Sequence, residues 1–183
     1  MDEAIRNTLD WLSRVDTLGL LAVRRLRSRW VDGFMVALSR AGDPSSWVVH
    51  TLVLFAATAA TDTRLLTLAA SAVLWGTVAS QLLKRACRRP RPNGTVQGLE
   101  SPLENPDAFS FPSGHAAVAF AVASALAGAY PELAAMELLF ATGVGFSRVY
   151  HGAHYPLDVL AGALLGVLCG AMTAFTVTTV LLG

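Results

Sequence analysis

Three polar clusters interrupt an otherwise apolar chain: Lys84-Arg85-Ala86-Cys87-Arg88-Arg89-Pro90-Arg91-Pro92, then Pro112-Ser113-Gly114-His115, then Ser147-Arg148 running on to His154 and Asp158. Lys84, Arg91 and Arg148 supply positive groups, two of them guanidinium forks that match phosphate oxygens. Ser113 and Gly114 precede an apolar helical run, so backbone N–H groups there point at any anion held in the site. Gly114, lacking a side chain, lets such an anion approach the backbone. His154 and Asp158 lie four residues apart across a helix start, with Pro156 suited to the first helical position. That spacing lets the carboxylate accept the imidazole Nδ1–H and leaves Nε2 as a nucleophile or base. His115 remains as the acid that protonates a leaving oxygen. The chemistry implied is phosphoryl transfer in which cations and a helix terminus stabilise charge as Mg²⁺ does elsewhere. No Cys/His/carboxylate cluster has metal-ligand spacing, so neither metal nor cofactor is expected.

The elements that must position these residues are membrane-like. Of the 183 residues, 54% are hydrophobic and only 15% charged, against roughly 25% charged in soluble domains. Mean hydropathy is +0.50. A net charge of +1 provides no basic field for nucleic acid. Apolar stretches over about 45–61, 65–83, 114–130, 132–149 and 156–181 approach the ~20 residues of a spanning helix. Residues 3–28 read as an amphipathic helix with Ile5, Leu9, Leu12 and Val15 on one stripe and arginines at its end. Such a helix suits the membrane interface or a cap on the bundle. A short helix over 31–41 follows. The expected fold is an all-α integral membrane bundle of about five transmembrane helices, with 1–44 interfacial and 45–183 a single catalytic domain. A sixth span would have to hide in 8–41, where Asp16, Asp32 and the arginines make a poor membrane crosser.

Smaller expectations follow from single residues. The segment from Lys84 to Pro112 carries Pro90, Pro92, Pro102, Pro106 and Pro112, so it cannot be one helix and is functional or disordered. Thr61 to Arg64 and Tyr130-Pro131 read as tight turns. His50 is expected to make an interhelical hydrogen bond, Glu137 to be a buried hydrogen-bonding partner, and His151 to be a loop residue. Arg85, Arg88 and Arg89 read as a solvated basic face, and Trp11, Trp30 and Trp47 as interfacial anchors. Gly162, Gly166 and Gly170 form a four-residue stripe that allows close helix approach, expected to pack within the bundle, with a homodimer as the other use of the same face.

Taken in order, the three clusters form a pattern. Lys84, six residues, Arg91-Pro92; Pro112-Ser113-Gly114-His115; Ser147-Arg148, five residues, His154, three residues, Asp158. This resembles the three-part signature of the type 2 phosphatidic acid phosphatase superfamily, which includes the vanadium haloperoxidases. The resemblance implies His154 as a nucleophile forming a phosphohistidine, Asp158 orienting it and His115 as general acid. It implies Lys84, Arg91, Ser113, Gly114 and Arg148 as phosphate ligands. The expected activity is hydrolysis of a lipid phosphate or diphosphate of the undecaprenyl diphosphate, phosphatidylglycerophosphate or phosphatidic acid type. The rivals are a phosphotransferase using the same phosphoenzyme and a non-catalytic lipid-binding protein, the latter disfavoured by the intact histidines. Haloperoxidases are disfavoured because those relatives are larger and soluble.

Five crossings put all three clusters and the N-terminal segment on one side of the membrane. Every basic residue except Arg64 falls on that side, so the positive-inside rule faces the site to the cytoplasm. Undecaprenyl diphosphate recycling resembles enzymes whose sites face outward, so the charge bias and that substrate conflict.

Overall fold

A computed structural model describes residues 3–58, 62–99, 101–103 and 107–182. The described residues form helices α1 (Glu3–Arg24), α2 (Arg29–Ala41), α3 (Pro44–Ala57), α4 (Arg64–Cys87), the single turn α5 (Pro92–Thr95), α6 (Gly114–Ala129), α7 (Pro131–Tyr150) and α8 (Pro156–Leu182). Thr61 of the predicted turn and Pro106 of the long loop lie outside the described residues, as do the side chains of Ile5 and Leu9. The helix ends follow local rules. Prolines open α3, α7 and α8, where a missing N–H costs nothing. Ser28 caps α2 by accepting the Val31 N–H. α4 ends one turn later than its apolar run, at Arg88 in the left-handed conformation (φ 49°), so Lys84 sits inside the last helical turn.

α4 and α8 are long and apolar enough to cross a membrane, and α3 and α6 are shorter apolar helices. Leu74, Leu82, Leu160, Leu164, Leu168 and Phe175 are all more than half exposed, a greasy outer surface. α6 forms the centre, with Ala116, Ala117, Ala121, Ala125 and Leu126 fully buried. Its small side chains let α8 approach to backbone contact. A Cβ placed on Gly162, Gly166 or Gly170 would overlap the carbonyl oxygens of Ser113, Ala117 and Ala121 respectively. Two four-residue ladders thus run in register. The glycine face packs on α6 inside the chain, as expected.

His50 and Glu137 join α3 to α7: Nε2 lies 3.0 Å from a carboxylate oxygen that is otherwise sealed from solvent. Phe140 stacks on the imidazole. Both residues behave as expected. Trp11 and Trp30 are exposed, whereas Trp47 is buried and donates its indole N–H to the Gly42 carbonyl, so Trp47 is a core residue and not an anchor. The described ends of the proline-rich segment are paired with each other. Ser110 returns its N–H to the Arg89 carbonyl at 2.8 Å and its hydroxyl to the Pro90 carbonyl at 3.0 Å, which staples the two ends of the loop together.

Candidate active site

Helix direction assembles the site at one end of the bundle. α4 and α7 end there, α6 and α8 begin there, and Arg91 and Asp107 from the connection between α4 and α6 reach the same place. Between α7 and α8 the chain turns through Gly152, whose φ of 73° suits a residue without Cβ. The turn is locked by the Ala153 and His154 N–H groups, which both donate to the Arg148 carbonyl. That turn brings the parts of the third cluster together: Arg148, His154 and Asp158 are all at most 2% exposed.

Arg91 is the hub. Its Nη1 donates to the Ala153 carbonyl at 2.9 Å and lies 3.1 Å from His154 Nε2. A guanidinium has only donors, so Nε2 must present its lone pair and the ring proton sits on Nδ1. Burial, followed by the positive charges of Arg148, Arg91 and Lys84, holds the His154 imidazole well below its ordinary pKa. The ring is therefore neutral, as a nucleophile needs.

The Nδ1 side departs from expectation. Asp158 Oδ2 lies 3.7 Å away, beyond hydrogen-bond length. Oδ2 instead accepts the Tyr155 N–H at 2.9 Å, and Oδ1 accepts from Arg89 at 2.7 Å. Arg89, read from sequence as part of a solvated face, is corrected to a buried-pair partner; its guanidinium is shared between Asp158 and Asp16.

Lys84 and Arg91 converge as predicted, but on a carboxylate that the sequence did not single out. Asp107 accepts from Lys84 Nζ and from Arg91 Nη2, each at 2.7 Å, and its carbonyl accepts from Arg91 Nε. Burial alone would raise the Asp107 carboxyl, yet the hydrogen bonds and charge of Lys84, then Arg91, outweigh it and hold the group below the ordinary value. A cavity of about 80 Å³ opens beside these groups and is lined by Ser80, Lys84, Arg91, Asp107, Gly114 and His115. His115 Nε2 lies 2.9 Å from Asp43 Oδ1. Arg148 reaches Ser39 Oγ at 2.6 Å.

The second cluster is partly committed to structure. Ser113 caps α6 through its hydroxyl, which accepts the Ala116 N–H, and its own N–H donates to the Asp158 carbonyl at 2.8 Å. The backbone donor predicted at Ser113 is thus spent on holding α8, though the hydroxyl keeps its proton for another acceptor. A side chain at Gly114 would make only ordinary contact with Ser80, so its bareness faces the cavity. Among the described residues no group of three His, Cys, Asp or Glu side chains could hold a metal ion.

Asp16, Ser39, Asp43, Asp107 and Arg89 were not legible as site residues. The first three come from the segment before residue 45. Asp16 carried one signal: it shares with Leu20, four residues on, the buried face of α1, where an unpaired acid would be costly. His151 lies in the turn after α7, as expected, and is fully buried there.

A profile of the PAP2 superfamily matches residues 64–180. The chain is 38% identical over 106 residues to a lipid A 1-phosphatase of Rhizobium johnstonii, covering 56% of this chain and 43% of that one. It is 32% identical over 139 residues to an undecaprenyl-diphosphatase of Sulfolobus acidocaldarius, covering 74% and 66%. The chain thus spans less than the full length of these curated relatives. The crystal structure of Aquifex aeolicus LpxE superposes with a TM-score of 0.72 at 29% identity, over 84% of this chain and 91% of that one. With the profile spanning all three clusters, the chain belongs to the PAP2 superfamily.

Proposed function

We propose that the chain is a membrane-embedded, metal-independent phosphatase that hydrolyses a lipid phosphate or diphosphate through a phosphohistidine. The observation that carries the reading is the buried His154 imidazole, whose Nε2 lies 3.1 Å from Arg91 Nη1 among the cations that would grip a phosphate. Nε2 attacks phosphorus as the bond to the lipid oxygen breaks, and His115 gives that oxygen a proton. Water then attacks the phosphohistidine, passes a proton back to His115 and releases phosphate. Lys84, Arg91, Arg148, the Ser113 hydroxyl and the first α6 amides would hold the phosphoryl oxygens, and Asp158 would face the positive ring of the intermediate.

A lipid substrate is supported by a second feature. An apolar groove of about 360 Å³ between α3 and α4 shares Pro44, Trp47 and Val73 with the cationic cavity, so a hydrocarbon tail can lie there while its phosphate sits among the cations. The relatives name prenyl and lipid A phosphates, and undecaprenyl diphosphate is the first substrate to try. The test is turnover of a lipid-phosphate panel in detergent with excess EDTA, together with acid-quenched labelling. Retained activity, inhibition by vanadate as a transition-state mimic and label on His154 are expected. Activity lost on chelation and restored by Mg²⁺ or Zn²⁺ would overturn the mechanism, and label passed to a lipid acceptor would make the enzyme a phosphotransferase.

The topology proposed has five crossings, α3, α4, α6, α7 and α8, with α1 and α2 at the interface. The excess of arginine on the site's side faces it to the cytoplasm. A test is Asn93→Cys, at an exposed position, in a background with Cys87→Ser and Cys169→Ser. Protection from impermeant maleimide in intact cells is expected and favours a cytoplasmic lipid phosphate. Labelling would place the site outside and favour undecaprenyl diphosphate.

A further inference from the structure

The carboxylate facing His154 is gripped from the other side. Arg89 donates Nη1 to Asp158 Oδ1 at 2.7 Å and Nη2 to Asp16 Oδ2 at 2.6 Å. Both carboxylate side chains are sealed from solvent, while Arg89 lies one quarter exposed across the ring of Tyr155, 4.2 Å from its centre. The second oxygen of Asp16 accepts the Leu157 N–H at 2.8 Å, in the first turn of α8 and next to Asp158. Asp16 belongs to α1, outside the residues 64–180 that the superfamily profile matches.

A guanidinium facing one carboxylate tends to take both of its oxygens, fork to fork. Here the fork is divided between two acids. Asp158 therefore gives Arg89 only Oδ1 and keeps Oδ2 for the Tyr155 N–H and the side of His154 that bears Nδ1. One cation between two buried acids also leaves a surplus negative charge. A purely structural ion pair gains nothing from such a surplus, but it faces the ring on which positive charge grows as the P–N bond forms.

We propose that Asp16 and Arg89 are a positioning pair for the nucleophile: Asp16 holds one arm of Arg89 away from Asp158, so that Oδ2 stays turned to His154. The inference rests on His154 being the nucleophile. It makes the N-terminal helix part of the reaction machinery without touching substrate, through one side chain that fixes both the counter-ion of Asp158 and the first turn beneath it.

Asp16→Asn tests the pair, because an amide keeps an acceptor for the Leu157 N–H and removes the charge that restrains Arg89. The expected loss in kcat is about tenfold to a hundredfold, the range seen for outer partners of ligating histidines. KM should be nearly unchanged and phosphohistidine formation slowed. Asp16→Glu should recover part of the rate. In an Arg89→Gln background, Asp16→Asn should cost nothing more, since no arm is left to restrain. Wild-type kcat in Asp16→Asn, a change confined to KM, or full additivity with Arg89→Gln would each overturn the pair. If Arg89→Gln does not fold, the kcat order of wild type, Glu and Asn at position 16 decides alone. His154→Ala and labelling of the wild type separate the two claims. Phosphohistidine in the wild type with an unaffected Asp16→Asn sinks only the pair, while its absence sinks the functional reading on which the pair depends.

Discussion

Arg91 Nη1 meets His154 at Nε2, 3.1 Å away, so the cation proposed to hold the phosphate also marks the nitrogen proposed to attack it. The same guanidinium reaches Asp107 with its remaining edge, and one planar group thereby fixes the spacing between nucleophile and cradle. Arg91→Lys preserves charge and loses this geometry. A fall in kcat/KM of more than tenfold is expected, on the order of 2 kcal/mol for charge-assisted hydrogen bonds. Normal kinetics in the lysine variant would remove Arg91 from the phosphate site.

His115 lines the cavity with Asp43 behind it, where it can reach a leaving oxygen. His115→Ala should slow substrates with poor leaving groups severely and those with good leaving groups much less, because the latter need little protonation. Measuring both classes on one preparation checks the role. Equal losses would assign His115 to binding and not to acid catalysis.

The depressed pKa of His154 has a consequence for stability. In the unfolded chain its imidazole takes up a proton near pH 6.5, while in the folded protein burial and the neighbouring cations refuse it. The unfolded state then binds more protons, so this residue lowers stability as pH falls below about 6.5. His154→Gln should lose less thermal stability than the wild type between pH 7.5 and 5.5 in detergent. A difference between the two that is independent of pH would contradict the assignment.

Gly166 packs against the Ala117 carbonyl, and a Cβ there would also lie 2.9 Å from the Ala121 N and Phe120 Cβ. Gly166→Ala is expected to destabilise by at least about 1–3 kcal/mol, the usual cost of overpacking. Gly33 on α2 has nothing within 4 Å of an added Cβ, so Gly33→Ala should be neutral or gain up to ~1 kcal/mol from helix propensity. Thermal unfolding of the pair measures the difference, and equal effects would mean the α6–α8 contact is looser than described.

What the sequence determined by itself was whatever depends on residue type and short spacing. Apolar runs, prolines at helix starts and the Lys84–Arg91, Ser113–His115 and Arg148–Asp158 motifs are local, and an even spacing of four put Gly162, Gly166 and Gly170 on one face. The His50 and Glu137 roles were legible for the same reason, since a polar group in an apolar helix needs a partner. Only the tertiary structure decided which distant groups meet. Asp16, Ser39, Asp43 and Asp107 are short polar residues of ordinary type, and nothing local distinguishes them from solvated ones. They become site residues because α1, α2 and the stapled loop fold onto the end of the bundle where the cations gather. Arg89 was misread on the same ground: in a run of arginines every side chain has the same charge, and only the packing of α1 against the start of α8 supplies the two carboxylates that single one out.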